Sequence, residues 1–302
     1  MKYSIIIPHI NEGYLLDIML DSIYNYCIHD SFEIIIVDDG SDDISHLDFI
    51  KTHFLREKIN IFFEKWLWSP KARNFWASQA SWEYLIFLDS HMYFRDNFLH
   101  KLDNILDTNN DIDILQPIIG SITNKKIQGQ IYKTKDFMLN STWGNPVTNK
   151  DLLETPNIAW WATIIKRDVF NYVGWFNPNF KKWGAEDLEF SMRLWLSWYN
   201  CYFSNQLFVA HYFKESFVNT EIKAEQVLNN KIMFAYTCIS NEERLKKIFQ
   251  DLSTYYWDLF EKIHEEVINN TNFLDWLEKQ KRNFIFDDDW YFEKFHEYCE
   301  TF

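Results

Sequence analysis

Two residues at the end of a predicted strand, Asp89 and His91, could bind a metal ion together. The run Tyr84–Leu88 before them is wholly apolar apart from its first hydroxyl, which is typical of a buried strand. Side chains two residues apart on an extended chain share a face, so this carboxylate and this imidazole can reach one point beyond the strand. Such a pair suits a divalent transition metal such as Mn²⁺. The alternative is that Asp89 and His91 only cap the strand end.

Acidic residues follow the second predicted strand, which covers residues 33–37. Asp38 and Asp39 come directly after this strand and precede a glycine turn. Carboxylates in this position can accept hydrogen bonds from a nucleotide base or from ribose hydroxyls. They can equally form an Asx turn that caps the next helix. The residues leave both interpretations open.

Polar residues also follow the first and third predicted strands. The first strand ends in Pro8 and His9, and a polar loop with Glu12 comes next. Arg73 lies at the start of a predicted helix after the third strand, where its guanidinium can bind a phosphate or pair with an acid near a nucleotide. A surface salt bridge is the alternative. The carboxyl ends of strands in open α/β sheets are where ligands bind. The candidate nucleotide-binding residues are Pro8, His9, Glu12, Asp39, Arg73 and Asp89.

The composition limits the classes of protein and partner. The 302 residues carry a net charge of −14, so we expect no nucleic acid partner, and an anionic ligand needs a local cation such as a metal or a placed arginine. The four cysteines are scattered without zinc spacing, which favours reduced thiols in a cytoplasmic protein. The chain starts directly in a predicted strand, so we expect no signal peptide. No apolar run approaches the roughly 20 residues of a membrane span.

The elements that must position these residues change in type along the chain. Every glycine and proline lies at or before Gly184, so the remainder should be largely helical. Before that point strands alternate with helices, which predicts a doubly wound, mostly parallel sheet. We therefore expect an α/β domain over residues 1–219 and a helical region over residues 220–302. The predicted strands are 3–7, 33–37, 60–63, 84–88 and 112–118, and the predicted helices are 15–26, 69–81, 97–106, 221–250, 252–269, 273–281 and 289–300.

Together these segments resemble the GT-A (Rossmann-like) fold of family-2-like glycosyltransferases. The resemblance is carried by the opening Ile-Ile-Pro-x-x-Asn-Glu, by the segments 37–41 and 72–74, and by residues 88–91, where most such enzymes have Asp-x-Asp. The Asp-x-His variant resembles the polypeptide N-acetylgalactosaminyltransferases, which supply a second histidine after a later hydrophobic strand. His211 in segment 207–213 matches that pattern. The resemblance implies a UDP-sugar donor and Mn²⁺ held by Asp89, His91 and His211.

The segment 183–190 resembles the Trp-Gly-x-Glu-Asp segment of many such transferases, including chondroitin polymerases. The resemblance places it beside the acceptor, with Asp187 as general base and Glu186 as hydrogen-bond partner of a sugar. A first helical turn favours acids in any case, so both could be ordinary helix-start residues. The polypeptide transferases, which retain anomeric configuration, carry Asn after this Glu. Asp187 in that position favours inversion, and a retaining transferase is the alternative.

Tryptophans flank these segments. Trp160 and Trp161 stand where the family usually has small residues, so with Trp183 they are candidates to contact the donor sugar or the acceptor, while core packing is the alternative for the first two. The expected partners are a UDP-sugar and a peptide or glycan acceptor. The C-terminal helices could bind a protein partner or a second copy, or pack back on the first domain. A module that binds nucleotide sugars without turnover is the remaining alternative.

Overall fold

The computed structural model describes residues 2–27, 31–65, 69–122, 127–213, 223–299 and 302. The strands of these residues are β1 (Tyr3–His9), β2 (Phe32–Asp38), β3 (Ile59–Phe63), β4 (Tyr84–Leu88), β5 (Met92–Phe94), β6 (Ile114–Ser121), β7 (Ile127–Gln128), β8 (Ile131–Thr134), β9 (Ser141–Gly144), β10 (Leu152–Glu154), β11 (Ala162–Lys166) and β12 (Cys201–His211). The helices are α1 (Tyr14–Tyr26), α2 (Ser69–Ser78), α3 (Phe98–Thr108), α4 (Arg167–Tyr172), α5 (Glu186–Leu196), α6 (Ala224–Cys238), α7 (Glu242–Tyr256), α8 (Asp258–Ile268), α9 (Thr271–Lys281) and α10 (Asp288–Lys294), with 3₁₀ turns at Ser45–Thr52 and Arg56–Lys58.

The strands form one large mixed sheet and a small hairpin. The order across the large sheet is β10-β12-β6-β11-β4-β1-β2-β3, with β5 beside β12 and β7 beside β6. The pairs β4–β1, β1–β2, β2–β3 and β6–β12 are parallel, whereas β11 runs antiparallel to both of its neighbours. The strands β8 and β9 form the hairpin. This mixed, mostly parallel sheet flanked by helices confirms the predicted fold class.

The central strands are continuous apolar runs because helices cover both faces of the sheet. Every residue of β4 is buried, and the isoleucines of β1 and β2 are fully inaccessible. In the sheet, β4, β1 and β2 lie side by side and run parallel. Their carboxyl ends therefore meet at one edge, so the polar residues that follow them gather there.

The C-terminal helices pack on the first part of the molecule. The phenol of Tyr291 in α10 donates to the Pro156 carbonyl at 3.1 Å, and the Trp195 ring in α5 lies 5.0 Å from that of Phe295. The guanidinium of Arg193, also in α5, donates to Gln280 in α9 at 3.2 Å. These contacts match the packing alternative. The predicted boundary at residues 219 and 220 lies outside the described residues.

The predicted helix over 221–250 is divided in the structure. Its first residues lie outside the described part, and α6 ends at Cys238 while α7 begins at Glu242. Asn241 caps the start of α7 by accepting the Arg244 backbone N–H at 3.1 Å, so a new helix begins where the apolar spacing predicted a continuous one. The buried Asp288 carboxylate accepts the backbone N–H of Ser240 at 2.8 Å and so stabilises the break. The prediction was wrong here because apolar periodicity does not register caps.

Candidate functional site

Sheet pairing brings Asp89, His91 and His211 together. The first two follow β4, and His211 ends β12, which pairs with β5 so that His211 lies opposite Met92. The three residues offer ligand atoms that lie within 4.8 Å of one another. The His211 Nε2 atom is 3.5 Å from Asp89 Oδ2, and the two imidazole rings are centred 4.8 Å apart. The strand register therefore assembles a three-residue cluster from two segments that are far apart in sequence.

The chemistry of this cluster suits a divalent metal. Its donors are one carboxylate and two imidazoles, a set typical of transition-metal sites. The Nδ1 atoms of His91 and His211 are buried, and that of His211 has no hydrogen-bond partner among the described residues. Burial would raise the pKa of Asp89, but His211, His91 and Arg73 outweigh it and hold that pKa below its usual value. Glu12 joins this group, because its Oε2 atom lies 3.3 Å from His91 Nδ1.

Asp38 and Asp39 have different surroundings at the end of β2. The Asp38 Oδ1 atom accepts the backbone N–H groups of Gly40 and Ser41 at 3.2 and 2.9 Å, so Asp38 forms the Asx turn. Asp39 is half-buried, and its backbone N–H donates to the His9 carbonyl at 2.9 Å. Asp38 thus follows the structural alternative, while the carboxylate of Asp39 stays the candidate for a nucleotide.

The other candidates at this edge are divided between two groups. His9 is 1% exposed, and its Nε2 lies 2.6 Å from His46 Nε2 and 3.8 Å from Asp38 Oδ2. Pro8 belongs to β1 opposite Val37. Of the residues that the sequence outlined around the first strand, Glu12 therefore lies beside His91 and His9 lies beside His46 and Asp38.

Glu186 and Asp187 begin α5 and are both buried. Burial raises the pKa of Asp187 well above its usual value, and the Glu186 charge raises it further, while Arg73 and a hydrogen bond from the Trp160 backbone N–H oppose the rise. The Arg73 guanidinium lies 3.5 Å from Glu186 Oε1. Asp89 also raises the pKa of Asp187 and Arg73 lowers that of Asp89, so the Asp89 carboxylate, Arg73 and the α5 acids lie close enough to influence one another's charge.

The loop before α5 is held in an uncommon conformation. Lys182, Gly184 and Ala185 have φ of 47°, 115° and 66°, and of these only glycine adopts such angles without strain. The Gly184 N–H donates to Glu186 Oε2 at 2.6 Å. Asn230 of α6 holds the loop, since its Nδ2 donates to the carbonyls of Lys181 and Gly184 at 2.9 and 3.0 Å. The C-terminal helices therefore position the segment that carries the α5 acids.

A cavity of about 120 Å³ lies beside these acids. Lys231 of α6 forms part of its wall, and its ammonium donates to Asn140 Oδ1 at 2.6 Å. Burial lowers the pKa of Lys231 to about 8. The residues that line the cavity are Tyr132, Leu139, Asn140, Ser141, Trp183, Gly184, Ala185, Glu186, Asp187, Leu188, Val227 and Lys231. An aromatic and polar wall of this kind suits a hydroxylated ligand.

Comparison with known proteins identifies the family. The family described as "Glycosyl transferase family 2" matches residues 4–174, more than half of the chain. The chain belongs to glycosyl transferase family 2.

The similarity to curated relatives covers only part of the length of each relative. The chain is 26% identical over 232 residues to a chondroitin synthase of Pasteurella multocida strain Pm70, covering 66% of the chain and 23% of the synthase. It is 28% identical over 183 residues to polypeptide N-acetylgalactosaminyltransferase 11 of Xenopus tropicalis, covering 54% of the chain and 30% of that protein. The chain thus spans less than a third of the length of these two relatives.

A solved structure confirms the GT-A fold. The crystal structure of GalNAc-T7 with UDP, GalNAc and Mn²⁺ superimposes with a TM-score of 0.66 at 19% identity, over 89% of this chain and 58% of that one. At this identity the likeness establishes the fold alone. Among the described helices of this family-2 chain, none combines the length and the apolar character needed to cross a bilayer.

The three candidate tryptophans of the family-2 domain have different positions. Trp160 is fully buried, with its ring 4.7 Å from those of Phe176 and Phe190, so its side chain follows the core-packing alternative and not the predicted contact with a sugar. Trp161 is half-buried against Trp143, with ring centres 6.1 Å apart. Trp183 is 48% exposed on the cavity wall. Trp183 alone of the three therefore lines the cavity.

Sequence reasoning missed three side chains around the site. Asn230 and Lys231 reach it from α6, and His46 meets His9 from a 3₁₀ turn. For Arg73, whose predicted roles were to bind a phosphate or to pair with an acid near the nucleotide, the structure gives an acid partner, Glu186, at 3.5 Å, and the phosphate contact stays a prediction. The only signal for the α6 pair was the polar Asn-Asn-Lys stretch at 229–231 inside an otherwise apolar helix. Nothing local indicated which residues these side chains would contact.

Proposed function

We propose that this chain is a metal-dependent glycosyltransferase that moves a sugar from a UDP-sugar to a hydroxyl of a peptide or glycan acceptor. The observation that carries the proposal is one site with two functional ends. The Asp89, His91 and His211 cluster forms one end, and the buried Asp187 beside the cavity forms the other. Arg73 interacts with the acids of both ends.

The residues of the first end fit a divalent metal, with Mn²⁺ as the proposed ion. Asp89, His91 and His211 would hold it, and Glu12 lies close enough to orient His91. Imidazole ligands favour Mn²⁺ over the harder Mg²⁺. When bound, such an ion neutralises charge that develops on a departing diphosphate.

The donor nucleotide would bind across the ends of β1, β2 and β4. Asp39 would accept a hydrogen bond from the uracil or the ribose, since its carboxylate follows the central parallel strands. Arg73 is 12% exposed and held over the Phe176 ring at 5.4 Å from its centre. We propose that it contributes positive charge to the diphosphate while keeping its pairing with Glu186.

Asp187 would be the general base. Its carboxylate accepts the Trp160 backbone N–H, which orients it, and its raised pKa makes it a stronger base than an ordinary aspartate. The acceptor hydroxyl would lie in the cavity between Asp187 and the Trp183 ring. Deprotonation of the acceptor as it attacks the anomeric carbon would invert configuration. A retaining enzyme of the same fold would use Glu186 and Asp187 only to position substrates.

A donor screen tests this function. Purified protein is incubated with UDP-, GDP- and TDP-sugars, with Mn²⁺, Mg²⁺ or EDTA, and released nucleotide is measured. We expect release from a UDP-sugar with Mn²⁺, slow release with Mg²⁺ and none in EDTA. His91→Ala serves as the inactive control and His100→Ala, an exposed histidine on α3, as the active one.

The outcomes of the screen separate the alternatives. Full activity in EDTA would remove the metal from the account, and GDP preference would replace the donor. Binding of UDP-sugar without release, with any peptide or glycan acceptor offered, would identify a binding module without turnover. NMR of the product anomer then distinguishes inversion from retention. The cytoplasmic location stays a prediction.

A further inference from the structure

A second cluster of metal-ligating side chains lies at the ends of β1 and β2. His9 ends β1, Asp38 ends β2, and His46 lies in the 3₁₀ turn that follows. Their ligand atoms are all within 4.8 Å of one another, and the cluster shares no residue with Asp89, His91 and His211. Since the proposed transfer reaction uses none of these three side chains, their convergence needs a separate explanation.

Two members of this cluster, His46 and Asp38, are oriented by hydrogen bonds to the backbone of the turn. The Nδ1 atom of His46 lies against the Asp43 carbonyl, so Nδ1 carries the proton and the lone pair of Nε2 points towards His9. The Asp38 Oδ1 atom accepts the backbone N–H groups of Gly40 and Ser41, and Oδ2 lies 3.8 Å from His9 Nε2. Backbone partners of this kind are what hold histidine and carboxylate ligands in metal sites.

We propose that His9, Asp38 and His46 form a second divalent-metal site, of the class that takes Zn²⁺. Two imidazoles and one carboxylate are a common zinc ligand set with a fourth position for water. His9 and Asp38 are 1% and 2% exposed, whereas His46 is half-buried and leaves that fourth position accessible. The proposal does not depend on the glycosyltransferase function.

The present spacing accommodates one small adjustment. The Nε2 atoms of His9 and His46 lie 2.6 Å apart and share one proton. With zinc–nitrogen distances of about 2.0 Å, two nitrogens on a tetrahedral ion lie about 3.3 Å apart. His46 sits on the surface turn and can withdraw by this amount, while His9 belongs to a central strand. Binding would require the shared proton to leave Nε2, with His9 taking the tautomer that is protonated at Nδ1, so that both Nε2 lone pairs face the metal.

The site would tie the turn after β2 to the strands that carry the nucleotide candidate. The backbone N–H of Asp39 already donates to the His9 carbonyl at 2.9 Å. On the outer side, the Oδ1 atom of Asn11 accepts the Asp42 backbone N–H at 3.0 Å, and its Nδ2 donates to Asp42 Oδ2 at 3.1 Å. A zinc ion on the inner side would complete the attachment of this turn. Its role is structural, since it stabilises the turn from which Asp39 projects.

Zinc binding to the metal-stripped protein tests the site. The assay uses a His91→Ala, His211→Ala double variant, which removes the first cluster, and titrates it with Zn²⁺ by calorimetry. We expect one zinc per chain. Adding His46→Ala should weaken it by about 100-fold or more, because the site then loses a ligand and not only an outer contact. Adding His100→Ala instead, the matched exposed histidine, should change nothing.

Two further measurements keep the test decisive. Zn²⁺ should raise the melting temperature of the double variant but not that of the triple variant with His46→Ala, and circular dichroism checks that each is folded. If the double variant does not fold, the zinc content of the unaltered chain and of the single variant His46→Ala is measured by elemental analysis. The single variant should then hold one zinc per chain fewer. Binding that survives His46→Ala, or a folded double variant that binds no zinc, would mean that His9 and His46 share only a proton.

Discussion

The two ends of the candidate site are built from different kinds of structure. The proposed metal and nucleotide end rests on the carboxyl ends of β4, β1 and β2 and on the end of β12, whose positions follow from sheet pairing. The acceptor end rests on the loop at 181–185, on the start of α5 and on two side chains from α6. Strand pairing is repetitive and predictable, whereas the loop depends on individual contacts. Substitutions at the first end should therefore lower the reaction rate by removing a reacting group. Substitutions at the second end should act by displacing the residues that position the acceptor.

The largest effect is expected from the metal cluster. His211→Ala should lower turnover by on the order of 10³-fold or more, because metal stabilisation of transition-state charge is worth several kcal/mol. The melting temperature should change little, since His211 ends its strand. Turnover with Mn²⁺ and thermal unfolding are measured together, with His100→Ala as the control. A strongly lowered melting temperature with intact activity per folded molecule would make His211 a core residue.

The general base should give the next largest effect. Asp187→Asn keeps an acceptor for the Trp160 backbone N–H but cannot take a proton. We expect turnover to fall about 100- to 1,000-fold, within the range for loss of general-base catalysis. Single-turnover rates with saturating donor measure the chemical step. Unchanged rates would assign Asp187 to substrate positioning and favour retention.

The pH profile sharpens that assignment. Because the pKa of Asp187 is raised, its basic form is lost as the pH falls at a higher pH than for an ordinary aspartate. The acidic limb of kcat should therefore lie above the usual carboxylate range. Glu186→Gln removes the neighbouring negative charge and should move that limb to lower pH. If the acidic limb of Glu186→Gln lies at the same pH as that of the unaltered chain, a group other than Asp187 causes the observed titration.

The acceptor end should also be sensitive at a residue that touches no substrate. Asn230→Ala removes the hydrogen bonds to the Lys181 and Gly184 carbonyls and should cost about 1–3 kcal/mol of unfolding free energy. The acceptor KM should rise several-fold while UDP affinity stays the same. Asn269→Ala, which changes an exposed asparagine directly after α8, is the control. Equal loss of UDP affinity would contradict the separation of the two ends.

The smallest effects concern the tryptophans. Trp160→Phe should cost about 1–2 kcal/mol of stability through lost core volume and leave KM unchanged. Trp183→Phe should leave stability unchanged and reduce the fluorescence response to intact UDP-sugar or acceptor. Fluorescence titration and thermal unfolding of both variants measure this. A ligand response lost in Trp160→Phe alone would reverse the two assignments.

The sequence could predict the Asp89 and His91 part of the first end because its signals are local, whereas His211 is assigned to it by the family resemblance. Asp89 and His91 follow an apolar run directly, and the order of strands and helices implies that these ends meet at one edge. It could not predict the separation of Asp38 from Asp39, since both fit a turn and a ligand equally well. The contacts of Asn230 with Gly184 and of Arg73 with Glu186 join residues 46 and 113 positions apart. Such contacts depend on how helices pack, which apolar spacing alone does not determine.

Calorimetry of UDP binding tests the central claim, that donor and acceptor functions occupy separate ends of one site. UDP is titrated with Mn²⁺ into the unaltered chain, into Asp39→Ala and into Asp187→Ala. We expect a marked loss of affinity in Asp39→Ala, because that carboxylate would bind the nucleoside, and nearly unchanged affinity in Asp187→Ala. Equal losses in the two variants, or no loss in Asp39→Ala, would contradict the account.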